Sequence, residues 1–144
     1  MKEKLPQRGS IESSLVFLDT DILASLLKGD RNAIDTIVRL QSESQPLKTT
    51  VINAYELLKG SAISTKPEEN RAKVKDLLST IPVLTLNYES CEEASKIYSA
   101  LKSKGQIIGE FDILIAAIAI YNEENLISRD RHFSLIENLN IQEW

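Results

Sequence analysis

Short apolar runs alternate with stretches of helical period along most of this chain, and that alternation narrows the fold more than any single motif. Leu15–Leu18, Pro82–Leu86 and Leu126–Ser128 read as buried strands, Leu47 and Lys48 as a short strand, and Ile141 as part of a last one. Between them the pattern predicts a short helix over Ile22–Leu27, closed near Gly29. A second runs from a cap at Asp30 with Ile34, Ile37, Val38 and Leu40 on its apolar face, and a third from a cap at Thr49 or Thr50 to Ala62. Pro67, with Glu68 and Glu69 behind it, opens another, carrying Val74, Leu77 and Leu78. A long helix with Ala94, Ile97, Tyr98 and Leu101 stops at Gly105, and Gly109–Glu124 is apolar nearly all round, hence central. Strands alternating with helices imply an α/β fold with a parallel sheet between two helix layers. A length of 144 residues is one domain's worth. The expected division is a polar N-terminal leader, Met1–Ser14, and a single domain over 15–144.

Apolar content of 42% and charged content of 26% suit a soluble globular domain. The longest apolar run, Ile113–Tyr121, is too short to span a membrane, and Met1–Ser14 lacks a signal-peptide pattern, so a cytoplasmic location is expected. Cys91 shares a helical face with Ala94, Tyr98 and Leu101, which predicts a packed core thiol. A net charge of −4 argues against gripping a long duplex by its phosphates. It does not exclude nucleic-acid chemistry, provided the negative charge gathers where a cation binds.

The acids are placed suggestively. In "LVFLDTDILASLL" a strand-like run ends in Asp19 and Asp21 and turns at once into a helix. Asp130 stands just past the strand "LIS", Asp112 in the first turn of the apolar helix, and Glu56 at the margin of a helix whose stripe is Val51, Tyr55, Leu58 and Ala62. Functional groups of open parallel sheets gather beyond the carboxyl ends of strands. Each acid also has an ordinary role open to it: Asp19 or Asp21 as a helix cap, Asp112 and Glu110 answering a helix dipole, Glu56 in solvent, Asp130 in a turn. Brought together, four carboxylates repel unless a cation neutralises them. All-oxygen ligands suit Mg²⁺ or Mn²⁺, and a chain with one histidine and one cysteine is poorly equipped for zinc. That histidine, His132, reads as a surface or packing residue.

Four stretches, "LVFLDTDILASLLKG", "TTVINAYELLKG", "GQIIGEFDILIAAIAI" and "LISRDRHF", resemble the signature segments of PIN-domain ribonucleases, and most nearly those of VapC toxins. The resemblance runs in order over 15–144. It implies a three-layer α/β/α PIN domain with a short-stranded central parallel sheet, and an Mg²⁺- or Mn²⁺-dependent endoribonuclease. Position by position, it makes Asp19, Glu56, Asp112 and Asp130 both catalytic and metal-holding residues. It implies RNA as substrate, a VapB-type antitoxin as partner and a homodimer. An RNA-maturation nuclease without an antitoxin, and a PIN binding module with little turnover, stand as alternatives. Lys28, Lys59, Arg129 and Arg131 flank the motifs and are candidates for RNA phosphates, or simply solvated. Two residues depart from the pattern: Asp21 where Asn or Ser is commoner, and Ser128 where Thr is common. A phosphatase of the haloacid-dehalogenase type also begins with two aspartates after a strand. It needs a hydroxyl-bearing residue where Ile22 and Leu23 stand. A receiver-type phosphoacceptor domain lacks its strand-end lysine here.

Overall fold

The structure, a computed structural model, describes residues 16–144. The leader Met1–Ser14 and the first residue of the expected strand, Leu15, lie outside the described residues. In chain order the elements are β1 (Val16–Leu18), α1 (Thr20–Leu27), α2 (Arg31–Ser42), β2 (Leu47–Thr50), α3 (Val51–Ala62) and α4 (Pro67–Leu78). Then come β3 (Val83–Leu84), α5 (Tyr88–Ser103), α6 (Glu110–Tyr121), β4 (Asn125–Ile127), a 3-10 helix (Arg131–Leu135) and β5 (Ile141–Gln142). Every element expected from the pattern is present, with ends shifted by a residue or a few.

The five strands are parallel and ordered β3-β2-β1-β4-β5. Alternate residues of the central strands serve opposite layers, as the period of a strand requires. Val16, Leu18 and Ile127 pack with Ile22, Leu23, Leu40, Leu57 and Val74 of α1–α4. Phe17 and Leu126 pack with Ala94, Ile97 and Leu101 of α5 and with the buried face of α6. The result is the three-layer α/β/α arrangement. From β1 the chain winds toward β2, and from β4 it leaves the other way toward β5. A crevice therefore opens beyond the carboxyl ends of β1 and β4, where such sheets bind their ligands.

Local chemistry accounts for the helix starts. Thr50 and Asn53 form a reciprocal capping box on α3, Asp30 accepts from the Ala33 amide on α2, and Asn87 accepts from Ser90 on α5. Gly29 and Gly105 take positive φ (76° and 69°) after α1 and α5, a conformation that costs glycine little.

Three faces are rotated from expectation. On α5 the buried stripe is Ser90, Ala94, Ile97 and Leu101, so Cys91 is exposed rather than packed, and Tyr98 is exposed with it. On α2 the buried residues are Ala33, Thr36 and Leu40, leaving Ile34 and Val38 exposed. On α3 they are Asn53, Ala54, Leu57 and Ser61, and the expected stripe of Val51, Tyr55 and Leu58 faces outward. Each helix carries apolar residues on more than one flank, and Leu40, Leu57, Ile97 and Leu101 are the large ones that stay on the buried side. Among the described residues no helix is long and apolar enough to cross a membrane.

Candidate active site

Asp19 follows β1 directly, and its amide donates to the Ile127 carbonyl of β4 (3.1 Å), which locks the ends of the two strands in register. It occupies the N-cap position of α1, yet its side chain makes no capping bond. Its oxygens turn sideways instead. Oδ1 accepts from Asn53 Nδ2 of α3 (3.0 Å) and Oδ2 from Ser128 Oγ beyond β4 (2.7 Å). Burial pushes the Asp19 carboxyl up from 3.8 to about 7; the Asp21 and Asp112 charges add to the shift, and the bonds from Ser128 and the Thr20 backbone oppose it.

Asp112 lies in the first turn of α6, half-buried, and also makes no capping bond. Burial raises it from 3.8 to about 6, helped by the charges of Asp130 and Glu56 and opposed by His132. Asp130 caps the 3-10 helix, its Oδ1 accepting from the His132 amide at 2.9 Å, so the turn role open to it in the sequence is real. It also faces Asp112. One ligand atom each from Asp112, Asp130 and His132 lie within 4.8 Å of one another. Glu56, half-buried, accepts from Thr20 Oγ1 at 2.5 Å through Oε1. Asp112 thus feels the charges of Asp130 and Glu56 and adds a small share to the rise at Asp19.

Several members of this network carried no clear sequence signal. Asn53, wholly buried, donates to both Asp19 and Thr20 Oγ1 (2.9 Å) while completing the α3 capping box. Three residues after a threonine it reads as a cap and nothing more. Thr20 hides between two aspartates, and Trp144 lies far along the chain. His132, read as a surface or packing residue, is exposed, but its Nδ1 sits 2.9 Å from Asp130 Oδ1. Asp21 does not cap α1; it turns toward Arg129 and Trp144. Glu110 is exposed in the first turn of α6, consistent with answering the dipole.

Of the flanking bases, Lys28 lines a cleft of about 720 Å³ between α1, α3 and α4. Glu56, Thr20 and Lys73 line it too, so the cleft opens onto the acids. Lys59 lies over the Tyr55 and Phe111 rings, Arg129 stacks on Trp144, and Arg131 is exposed.

The donor set suits a hard divalent cation: carboxylate oxygens from several elements, two of them raised in pKa chiefly by burial and further by neighbouring carboxylate charges. The cluster can therefore hold a metal.

Comparison with known proteins agrees. The PIN domain family model matches residues 16–139. Ribonuclease VapC2 of Haemophilus influenzae is 30% identical over 128 residues, covering 88% of this chain and 96% of the relative. The crystal structure of VapBC2 from Rickettsia felis, bound to a DNA fragment from their promoter, superposes with a TM-score of 0.84 at 26% identity, covering 90% of this chain and 98% of that one. VapBC-1 from nontypeable Haemophilus influenzae gives 0.80 at 29% identity over 90% and 98% of the two chains. The helix that begins directly after Asp19, the acids gathered from four segments and these likenesses set aside the phosphatase and receiver readings: the chain belongs to the PIN-domain family.

Proposed function

We propose that this protein is an endoribonuclease dependent on Mg²⁺ or Mn²⁺ and the toxin of a VapBC-type pair. The observation that carries the reading is that Asp112 and Asp130 bring carboxylate oxygens within 4.8 Å of each other at the switch point of a PIN sheet, where Asp19 directly follows β1. Asp19, Asp112 and Asp130 hold the cation, directly or through water, with Glu56 completing the set. When bound, the cation lowers the pKa of a water and offsets charge developing on the phosphodiester. Thr20 occupies Glu56 Oε1, which leaves Oε2 to orient the attacking water and take its proton. Attack is in line, and the P–O bond opposite the water breaks. Lys28 and Lys73 in the adjoining cleft suit RNA phosphates. A cytoplasmic location accords with such a substrate.

Two protein partners belong to this reading. The VapBC assemblies among the structural likenesses support a VapB-type antitoxin. A segment laid along the cleft toward Glu56 can offer a basic side chain to the acids, in place of the cation. A homodimer gives the outward face of α3 something to meet. Val51, Tyr55 and Leu58 form an exposed stripe there, and Phe111 of α6 meets Tyr55 edge-on with ring centroids 5.6 Å apart.

The test is cleavage of single-stranded or loop RNA by the purified protein. Cleavage is expected with Mn²⁺ or Mg²⁺ and lost on chelation and in Asp19→Asn. Undiminished cleavage in chelator and in that variant overturns the reading. Cleavage that needs the metal but proceeds with no antitoxin gene beside this one favours RNA maturation over a toxin. Sedimentation of Tyr55→Glu against the parent tests the dimer, which the variant should split.

A further inference from the structure

We infer that Asp21 acts on this site as a positioning residue: held by the Trp144 indole, it clamps the turn after β4 so that Ser128 joins Asp19 to Asp130. The inference rests on the proposal that the acids hold a metal.

Both Asp21 oxygens are committed to donors of the chain. Oδ1 accepts from Trp144 Nε1 (3.2 Å); Oδ2 accepts from the Arg129 amide (2.8 Å) and lies 3.3 Å from Ser128 Oγ. Trp144 is held in turn by Arg129, whose guanidinium stacks on the indole at 3.5 Å while Nε donates to the Trp144 carbonyl at 2.8 Å. Three segments that are distant in sequence, α1, the turn after β4 and the stretch after β5, are thereby tied together beside Asp19.

The consequence runs through Ser128. Its hydroxyl has one proton, and the shorter contact, 2.7 Å to Asp19 Oδ2, claims it over the 3.3 Å contact to Asp21. The same oxygen accepts the Asp130 amide at 3.0 Å. Among the described residues Ser128 is therefore the one side chain bonded to both Asp19 and the backbone of Asp130. Asp21 grips the turn at the next residue, through the Arg129 amide, and so sets where that hydroxyl stands. Partners of this kind orient ligands, and their loss weakens metal binding without removing it.

Mn²⁺ binding followed by electron paramagnetic resonance, RNA cleavage kinetics and thermal melts test this on the parent, Asp19→Asn, Asp21→Ala, Asp21→Asn and Trp144→Phe. Asp21→Ala should weaken Mn²⁺ binding by about tenfold and lower kcat with KM nearly unchanged. Asp21→Asn keeps an oxygen for the Arg129 amide and should restore most of both. Trp144→Phe keeps the ring under Arg129 but lacks the indole donor, and should lower kcat by a smaller factor. It carries the test alone if Asp21→Ala fails to fold. Trp144 is the only tryptophan, so its emission reports whether the indole has left its place in the Asp21 variants. Loss of Mn²⁺ binding in Asp21→Asn as complete as in Asp19→Asn would make Asp21 a ligand and overturn the inference. So would lower melts with parental Mn²⁺ affinity and kcat, which mark a merely structural tie. Parental Mn²⁺ binding by Asp19→Asn removes the metal reading itself, whatever the Asp21 variants do.

Discussion

The two halves of the acidic crevice are built differently. On the β1 side Asp19 is only 6% exposed and both its oxygens are held by side chains, Asn53 and Ser128. On the α6 side no hydrogen bond to the Asp112 carboxylate is made among the described residues. Asp130 there spends one oxygen on the His132 amide, and the other accepts no hydrogen bond among the described residues. The first half is set in place before any cation arrives. The second leaves lone pairs for a cation and its waters, as Mg²⁺ in particular requires. Rigid geometry on one side and open valence on the other is a division of labour that four equivalent carboxylates would not provide.

That contrast can be broken most directly by chemistry. Asp112→Asn, nearly isosteric, should cut RNA cleavage by about 1,000-fold, the scale of removing one electrostatic element from an active site. Single-turnover assays at saturating Mn²⁺ measure it, with a melt to show that the variant folds.

The pH dependence of stability follows next in size. Asp19 has its folded pKa raised from 3.8 to about 7, and Asp112 from 3.8 to about 6. Below the unfolded value both states are protonated and nothing is lost. Above it the unfolded chain ionises while the folded protein retains its protons, so stability falls until pH passes the folded value. For Asp19 the loss reaches about 4 kcal/mol in all. Denaturant unfolding in chelator from pH about 4 to about 8 should show this decline, and Asp19→Asn should flatten most of it. An unchanged slope in that variant means Asp19 is not buried as described.

Metal should act more modestly, and more weakly on Asp112→Asn than on the parent. At about one hundred times its dissociation constant, Mn²⁺ adds roughly 2.7 kcal/mol to a protein that binds it only when folded. Asp112→Asn should melt higher than the parent in chelator, because a repelled charge is gone, and respond less to Mn²⁺. A helix-dipole role for Asp112 predicts a lower melt with a full response.

The smallest effect probes the pre-set half alone. Asn53→Ala removes the bonds to Asp19 and Thr20 and half of the α3 capping box, and should cost about 2 kcal/mol. Chemical unfolding in chelator measures it, and Glu56, now facing a loosened Thr20, should orient water less well.

Much of this architecture is local and therefore legible in the chain. Apolar runs, Asp30, Thr50, Pro67 and the glycines after α1 and α5 mark where elements begin and end, because period and capping act over a few residues. Strand ends ahead of Asp19 and Asp130, and the apolar helix behind Asp112, place those acids from the chain alone. Glu56 is less legible: the apolar stripe beside it, Val51, Tyr55 and Leu58, faces outward, and the helix buries Asn53, Ala54 and Leu57 instead.

Helical period announces that a face is buried but not which one, when apolar residues stand on more than one flank of the helix. The sequence by itself thus determined the order of strands and helices and the candidate acids. Tertiary structure alone decided that Asn53 and Ser128 hold Asp19, that Asp21 meets Arg129 and Trp144, and that Cys91 lies outside. Those contacts join residues from 34 to 123 positions apart, or turn on which side of a helix finds the sheet. No interaction within a few residues can specify them.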